Sequence, residues 1–233
     1  MSTTHHDSSL GMSPPAVSPS RRERRSAETR ERLFRSALQL FAQKGFAETT
    51  VEDITEAADV GKGTFFNYFP SKDHILTAFS DMQIGKLEQA VETLRTSGQS
   101  LREFMHCLVL TMTEEPIRNP GLIRALLQGY LSTTPVREVM IQKQERAHNL
   151  HKLMIEIGQA RGEIRNDIPA TELAHFFRQT ILGTLLIWSV TGDATLRQRI
   201  DSALKILWGG IAPRNSAADA NANTPKDAES ESR

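Results

Sequence analysis

The chain has a single cysteine, Cys107, in 233 residues. That excludes an intrachain disulfide and a cysteine-based zinc site. Cys107 lies among Phe104, Leu108 and Leu110, and is expected to be inert core. No apolar run approaches the roughly 18 residues needed to span a bilayer. The N-terminus carries no apolar export signal, so the expected compartment is the cytoplasm. Net charge is also lacking, since 28 Lys and Arg balance 28 Asp and Glu. A balanced total does not exclude a charged partner, because distribution over the surface matters more than the sum. Residues 21–35 hold seven arginines against three glutamates. Period-2 alternation is missing as well, and β-branched residues are scattered, so no strand is expected. No Ser-His-Asp or Cys-His set can be identified, and no phosphate-cradling glycine loop. No cofactor is expected.

What is present is helical periodicity, interrupted by turn residues. Residues 1–20 and 213–233 are polar and too poor in apolar side chains to order themselves. His5-His6 falls in the first of these tails and reads as tail rather than metal site. Ser26 can cap a first helix whose Leu33, Phe34, Ala37, Leu38 and Phe41 repeat at spacings of three and four. Lys44-Gly45 ends it. Thr50 and Asp53 form a near capping box for a short second helix, with Val51, Ile54 and Ala58 inward. Gly61 breaks that segment, residues 62–69 form a third short helix, and Pro70 stops it. Ser71 is placed to cap the fourth. Further helices are expected at about 100–114, 120–132, 136–161, 170–191 and 195–208, punctuated by Pro116, Asn119-Pro120-Gly121, Pro135, Gly162, Pro169, Gly192-Asp193 and Gly209-Gly210. The expected architecture is all-α, with about nine helices. A tail (1–25) precedes a three-helix head (26–70), a larger helical domain (71–212) and a second tail (213–233).

The two short helices flank the turn Asp59-Val60-Gly61. A helix this short can lie in the major groove and present side chains to base edges. Phe65 and Phe69 share the face expected to pack on Ile54 and the first helix. Lys62, Gly63, Phe66 and Asn67 share another face, and Thr64 and Tyr68 flank it. The string Thr50-Val51-Glu52-Asp53-Ile54, then Ala58 through Asp73 with Lys62-Gly63-Thr64 and Phe69-Pro70-Ser71-Lys72, resembles the signature of the tetracycline-repressor (TetR) family. Leu40 through Phe46 resembles the end of that family's first helix. The resemblance covers about residues 26–76. It implies that Lys62, Gly63, Thr64, Asn67 and Tyr68 face the groove or its rim, and that Thr50 and Lys72 hold phosphates. Lys72→Ala would then weaken binding to all sequences, and Asn67→Ala would relax specificity. The chain departs from many members at Thr55, Asp59, Gly61 and Phe66, where Ala, Gly, Ser and Tyr are common. Phe66 lacks the hydroxyl of Tyr but can touch a thymine methyl.

About 130 helical residues follow the head. In the resembled family this part dimerises and often binds a small molecule, which implies a pseudo-palindromic operator in double-stranded DNA. Residues 172–191 and 196–208 carry wide apolar stripes, and Gly183 would permit close helix approach. These two helices are the expected homodimer interface. Met105, Leu108, Met112, Leu126, Tyr130, Met154 and Phe177 are candidates to line a pocket for a small apolar or amphipathic effector. His148, His151 and Arg124 are its candidate polar contacts. The implied function is a homodimeric repressor released by an effector. Two rivals stand beside it. One is a constitutive DNA-binding regulator without an effector. The other is a metal-binding helical-bundle enzyme, because Glu103/His106, Glu145/His148 and Glu172/His175 each form a Glu-x-x-His pair.

Overall fold

The computed structural model describes residues 20–131, 135–192 and 195–213. Residues 1–19 and 214–233, which make up most of the two expected tails, lie outside these residues, as do His5-His6 and Asp193. The described chain is all-α, with helices α1 (Arg21–Lys44), α2 (Val51–Ala57), α3 (Lys62–Tyr68), α4 (Asp73–Thr96), α5 (Leu101–Met112), α6 (Glu114–Arg118), α7 (Gly121–Leu131), α8 (Pro135–Ala160), α9 (Ala170–Thr191) and α10 (Leu196–Ile211). The helix beyond the expected nine is α6. Pro116 was read as a break, yet it occupies the third position of α6. Its missing N–H costs nothing in a first turn, where no intrahelical acceptor exists.

α1 begins five residues before the expected cap at Ser26. Ser20 is its N-cap, with a reciprocal capping box to Glu23. The arginines at 21–25 are therefore helical rather than part of a tail. Ser71 does not cap α4, whose N-cap is Lys72 with no side-chain cap bond. The Ser71 hydroxyl instead meets Asp73 Oδ2 at 3.2 Å and His74 Nδ1 at 3.0 Å. At the other end, Gly209-Gly210 does not stop α10, which runs on to Ile211. Buried Ile211 anchors the last turn, and Arg165 caps it through Arg165 N to Ile211 O (2.9 Å) and Arg165 Nη1 to Gly210 O (3.1 Å). Tertiary anchoring overrides the weak helix propensity of glycine here.

Two apolar cores hold the molecule. One gathers Leu33, Phe41, Ile54, Phe65, Phe69 and Ile75 from α1–α4, and extends to Leu122 and Ala125 of α7 and to Val136 and Met140 of α8. The core of the head thus does not stop at residue 70. The other is built from α4, α5, α8, α9 and α10, around Leu94, Leu101, Met105, Ile155, Phe177 and Ile200. α8 packs along both α4 and α9. Within the first core, α7 sits hard against α1 at Gly121. A Cβ there would lie 2.6 Å from Ala42 Cα and 2.7 Å from Ala42 O, so the start of α7 presses on the backbone of α1.

Cys107 is exposed, not core. The buried face of α5 is Leu101, Phe104, Met105 and Val109, and Cys107 projects from the opposite side. None of the described helices is long and apolar enough to cross a membrane.

Candidate functional site

α3 divides into the two faces that helical spacing predicts. Phe65 and Phe69 are buried, 5.8 Å apart between ring centroids, and belong to the core that holds Ile54. Lys62, Gly63, Phe66 and Asn67 are exposed, while Thr64 and Tyr68 are half-buried. Phe66 is 54% exposed, a large apolar ring with only an edge contact to Phe65 at 5.4 Å. A Cβ at Gly63 would meet no atom within 4 Å, so a partner can approach the backbone closely there.

Local chemistry explains the placing of α3. Thr50 caps α2 in a reciprocal box with Asp53, the Asp53 N–H donating to Thr50 Oγ1 at 3.1 Å and Thr50 N–H to Asp53 Oδ2 at 2.7 Å. Lys44 reaches the same carboxylate at 2.6 Å. Bonds from Lys44 and then from Thr50 hold the Asp53 carboxyl well below its ordinary range. Glu52 pairs with Lys62, which joins α2 to the start of α3, and that bond lowers the Glu52 carboxyl. Gly61 caps α3 without a side-chain bond. Asp59 turns the chain at φ 52°, the one non-glycine residue with positive φ among those described. Aspartate tolerates this conformation better than most.

Two side chains make contacts within the chain that helical spacing does not show. Lys72 was read as a phosphate clamp. Its ammonium instead donates to the carbonyls of Phe46 (2.8 Å), Ala47 (3.0 Å) and Thr49 (2.8 Å). It also lies 4.7 Å from the Phe46 ring centroid. An ammonium has three donors, and all three are engaged. Lys72 therefore fastens the α1–α2 loop and positions the N-terminus of α2. The Tyr68 hydroxyl is 3.0 Å from Ser26 Oγ, which ties α3 to α1. Around this contact, Arg21, Arg22, Arg24 and Arg25 are exposed on the first turns of α1, and Arg30 stacks over Phe69 at 5.2 Å.

In the larger core lies a cavity of about 180 Å³ between α4, α5, α7, α8 and α9. Of the expected lining residues, Leu108, Met112, Leu126, Tyr130, His151 and Phe177 are there. Met105 and Met154 are not, being fully buried in the packed core. His148 stacks instead on His175, with centroids 3.9 Å apart. Arg124 turns away to the Ser189 carbonyl. Not foreseen were Lys143, Gln144 and Arg178, which make the polar end of the cavity. Arg178, a lone charge within the apolar stripe of α9, was the available signal. As for the Glu-x-x-His pairs, His106 bonds Asp201 at 2.7 Å, and no group of three metal-ligating side chains occurs among the described residues.

His151 is enclosed by protein and faces this cavity. Burial pushes its pKa down to about 4, against the opposing bond to the Ala147 carbonyl. A histidine held below its unfolded value costs stability as the pH falls, because only the unfolded chain takes up the proton. Stability should therefore decline between about pH 6.5 and 4, by about 2 kcal/mol at pH 5 from this group alone. Thermal melts of the wild type and His151→Leu from pH 7 to pH 5 check this. The variant should lose less over that range, and parallel curves would refute the assignment.

The α9–α10 stripes also divide. Leu173, Phe177 and Leu185 are buried within the chain, while Phe176, Leu182, Ile187, Val190 and Ile206 are exposed.

Residues 33–79 match the family model for "Bacterial regulatory proteins, tetR family". The repressor KstR2 of Rhodococcus jostii is 29% identical over 210 residues, covering 87% of this chain and 98% of the relative. A solved structure of Thermus thermophilus FadR, a TetR-family transcriptional repressor in complex with lauroyl-CoA, is 28% identical. It has a TM-score of 0.59 and covers 81% of this chain and 98% of its own. Bacillus halodurans FadR, a fatty acid degradation regulator, shares the fold with a TM-score of 0.68 at 18% identity, covering 78% and 95% of the two chains.

Proposed function

Because the chain belongs to the TetR family of DNA-binding transcription regulators, we propose that it acts as a homodimeric repressor. It would occupy a pseudo-palindromic operator until an effector fills the α4–α9 cavity. The observation that carries this reading is the two-sided α3. Its inner face is locked by Phe65 and Phe69, while Gly63, Phe66 and Asn67 face outward, as does Lys62 with its ion pair to Glu52. Asn67 is the candidate for bidentate adenine contact and Phe66 for a thymine methyl. Thr64 and Tyr68 flank them. The start of α2, with Thr50, presents helical N–H groups to a phosphate.

Dimerisation through α9 and α10 is supported by five large apolar side chains left exposed there. A monomer gains nothing from such a patch, and burial against its two-fold copy removes it from water. Effector release would follow from differential affinity, with the ligand favouring a spacing of the two α3 helices that no longer matches the groove. Lauroyl-CoA, held by the Thermus relative, and dodecanoate are the first compounds to test for release.

The deciding experiment maps bound sites genome-wide and measures affinity for the consensus and for random duplex. Asn67→Ala should lose about 1–3 kcal/mol on the consensus and little on random DNA. Equal losses on both would contradict the assignment of α3 as the reading helix. Lys72→Met, by contrast, should lower the melting temperature and leave the salt dependence of binding nearly unchanged, since its three donors are already taken by loop carbonyls and hold it back from a phosphate. A salt slope reduced by about one per chain would return Lys72 to the phosphate contacts.

A further inference from the structure

Among the described residues, the polar end of the cavity carries one charge that no opposite charge balances. Lys143 is neutralised by Asp81. His151 is held to a pKa of about 4 and is neutral near pH 7. Burial raises the Tyr130 hydroxyl, so that group is neutral too and supplies no counter-charge. Arg178 remains. Its guanidinium, pushed down chiefly by burial, stays cationic because arginine does not deprotonate in proteins. Its hydrogen bond within the described chain is from Nη2 to Gln144 Oε1, and Gln144 in turn donates to the Tyr130 hydroxyl. None of the salt bridges among the described residues involves Arg178. The charges that bear on it are Tyr130 and, as further cations when protonated, His148 and His151. The rest of the cavity is mostly apolar, with Leu108, Ile123, Leu126, Phe177 and Ile181 along its walls, and with the uncharged Ser80, Gln83 and Thr113 among them.

A half-buried cation in an apolar chamber is costly unless an anion joins it. We propose that the cavity selects an anionic amphiphile, whose carboxylate or phosphate head pairs with Arg178 and whose apolar chain lies against α5, α7 and α9. The guanidinium offers a planar fork of N–H donors that matches either head. Gln144 and Tyr130 hold that fork in place and can bond the second oxygen of the head. The inference rests on reading this cavity as the effector site, and it adds the sign of the ligand's charge and the residue that recognises it.

The test titrates the full chain by calorimetry with four ligands that share one tail: decanoate, decyl phosphate, decanol and decyltrimethylammonium. Wild type should bind an anionic ligand at least about tenfold more tightly than decanol, and the ammonium more weakly still. The stronger of decanoate and decyl phosphate identifies the head. Arg178→Leu should weaken the anion about ten- to a hundredfold while retaining decanol, which also shows that its cavity is intact. Arg178→Lys should keep part of the preference. If the Leu variant does not fold, the wild-type series and the Lys variant decide. Equal affinity for acid and alcohol, or an undiminished anion preference in Arg178→Leu, overturns the head-group inference while leaving the cavity as effector site. Binding of none of the four overturns both.

Discussion

Replacing Arg21, Arg22, Arg24 and Arg25 together with alanine is expected to weaken operator binding by about two to three orders of magnitude near 0.1 M salt. No residue from 21 to 32 is buried, so the start of α1 is an exposed helical arm about 18 Å long, at 1.5 Å per residue. Its direction is set by the Ser26–Tyr68 contact and by Arg30 over Phe69. Arg22, Ser26 and Arg30 recur every four residues and so share the side that faces α3. Arg22 and the adjacent Arg25 are thus carried beside the exposed face of α3, where a duplex would pass. If about two arginines per chain reach phosphates, a dimer neutralises about four. The slope of log affinity against log salt should then fall by about 3 to 4. Alanine sustains the helix, so circular dichroism should be unchanged. An unaltered slope would remove the arm from the DNA contacts.

The second large effect is expected at Gly121. Changing a helical glycine to alanine ordinarily stabilises by about 0.5–1 kcal/mol. Here the new methyl would meet Ala42 Cα, Ala42 O and Phe41 O at 2.6, 2.7 and 2.8 Å, all of them backbone atoms. Neither α1 nor α7 can yield by a rotamer change, so the sign should invert. Gly121→Ala should cost about 2–3 kcal/mol, or roughly 5–10 °C in melting temperature. Gly85→Ala in α4 is the matched control, because a Cβ there meets nothing within 4 Å. It should hold or raise the melting temperature. The same direction of change in both variants would mean that the α1–α7 contact is not tight.

How much of this could be read from the sequence depended on whether the signal was local. The faces of α3 follow from a 3.6-residue period, and Phe65 and Phe69 lie inward as that period requires. The turn from Asp59 to Gly61 was likewise visible in residue type. The start of α1 was hidden because the Ser20–Glu23 capping box sits at the edge of a polar, unpatterned stretch. The carbonyl contacts of Lys72 were hidden because they come from a loop 23–26 residues earlier, which no local pattern records. The continuation of α10 through two glycines depends on Arg165, from another part of the chain. Cavity walls were found where apolar spacing led inward, at Leu108, Leu126 and Phe177. The polar group Arg178 left only one trace in the sequence, a charge within the apolar stripe of α9, and spacing alone does not say that it faces a cavity.

The core that joins α1–α3 to Leu122, Ala125, Val136 and Met140 bears on how such regulators could be recombined. A head cut at residue 70 would expose an apolar surface that α7 and α8 normally cover, and would lose the seat that Gly121 provides. Grafting this head onto another sensor domain would succeed only where the recipient supplies a glycine at the same joint and apolar side chains of similar volume behind it. For this architecture the unit of exchange is the head together with its socket, and compatibility between the two is a matter of backbone spacing before it is one of DNA sequence.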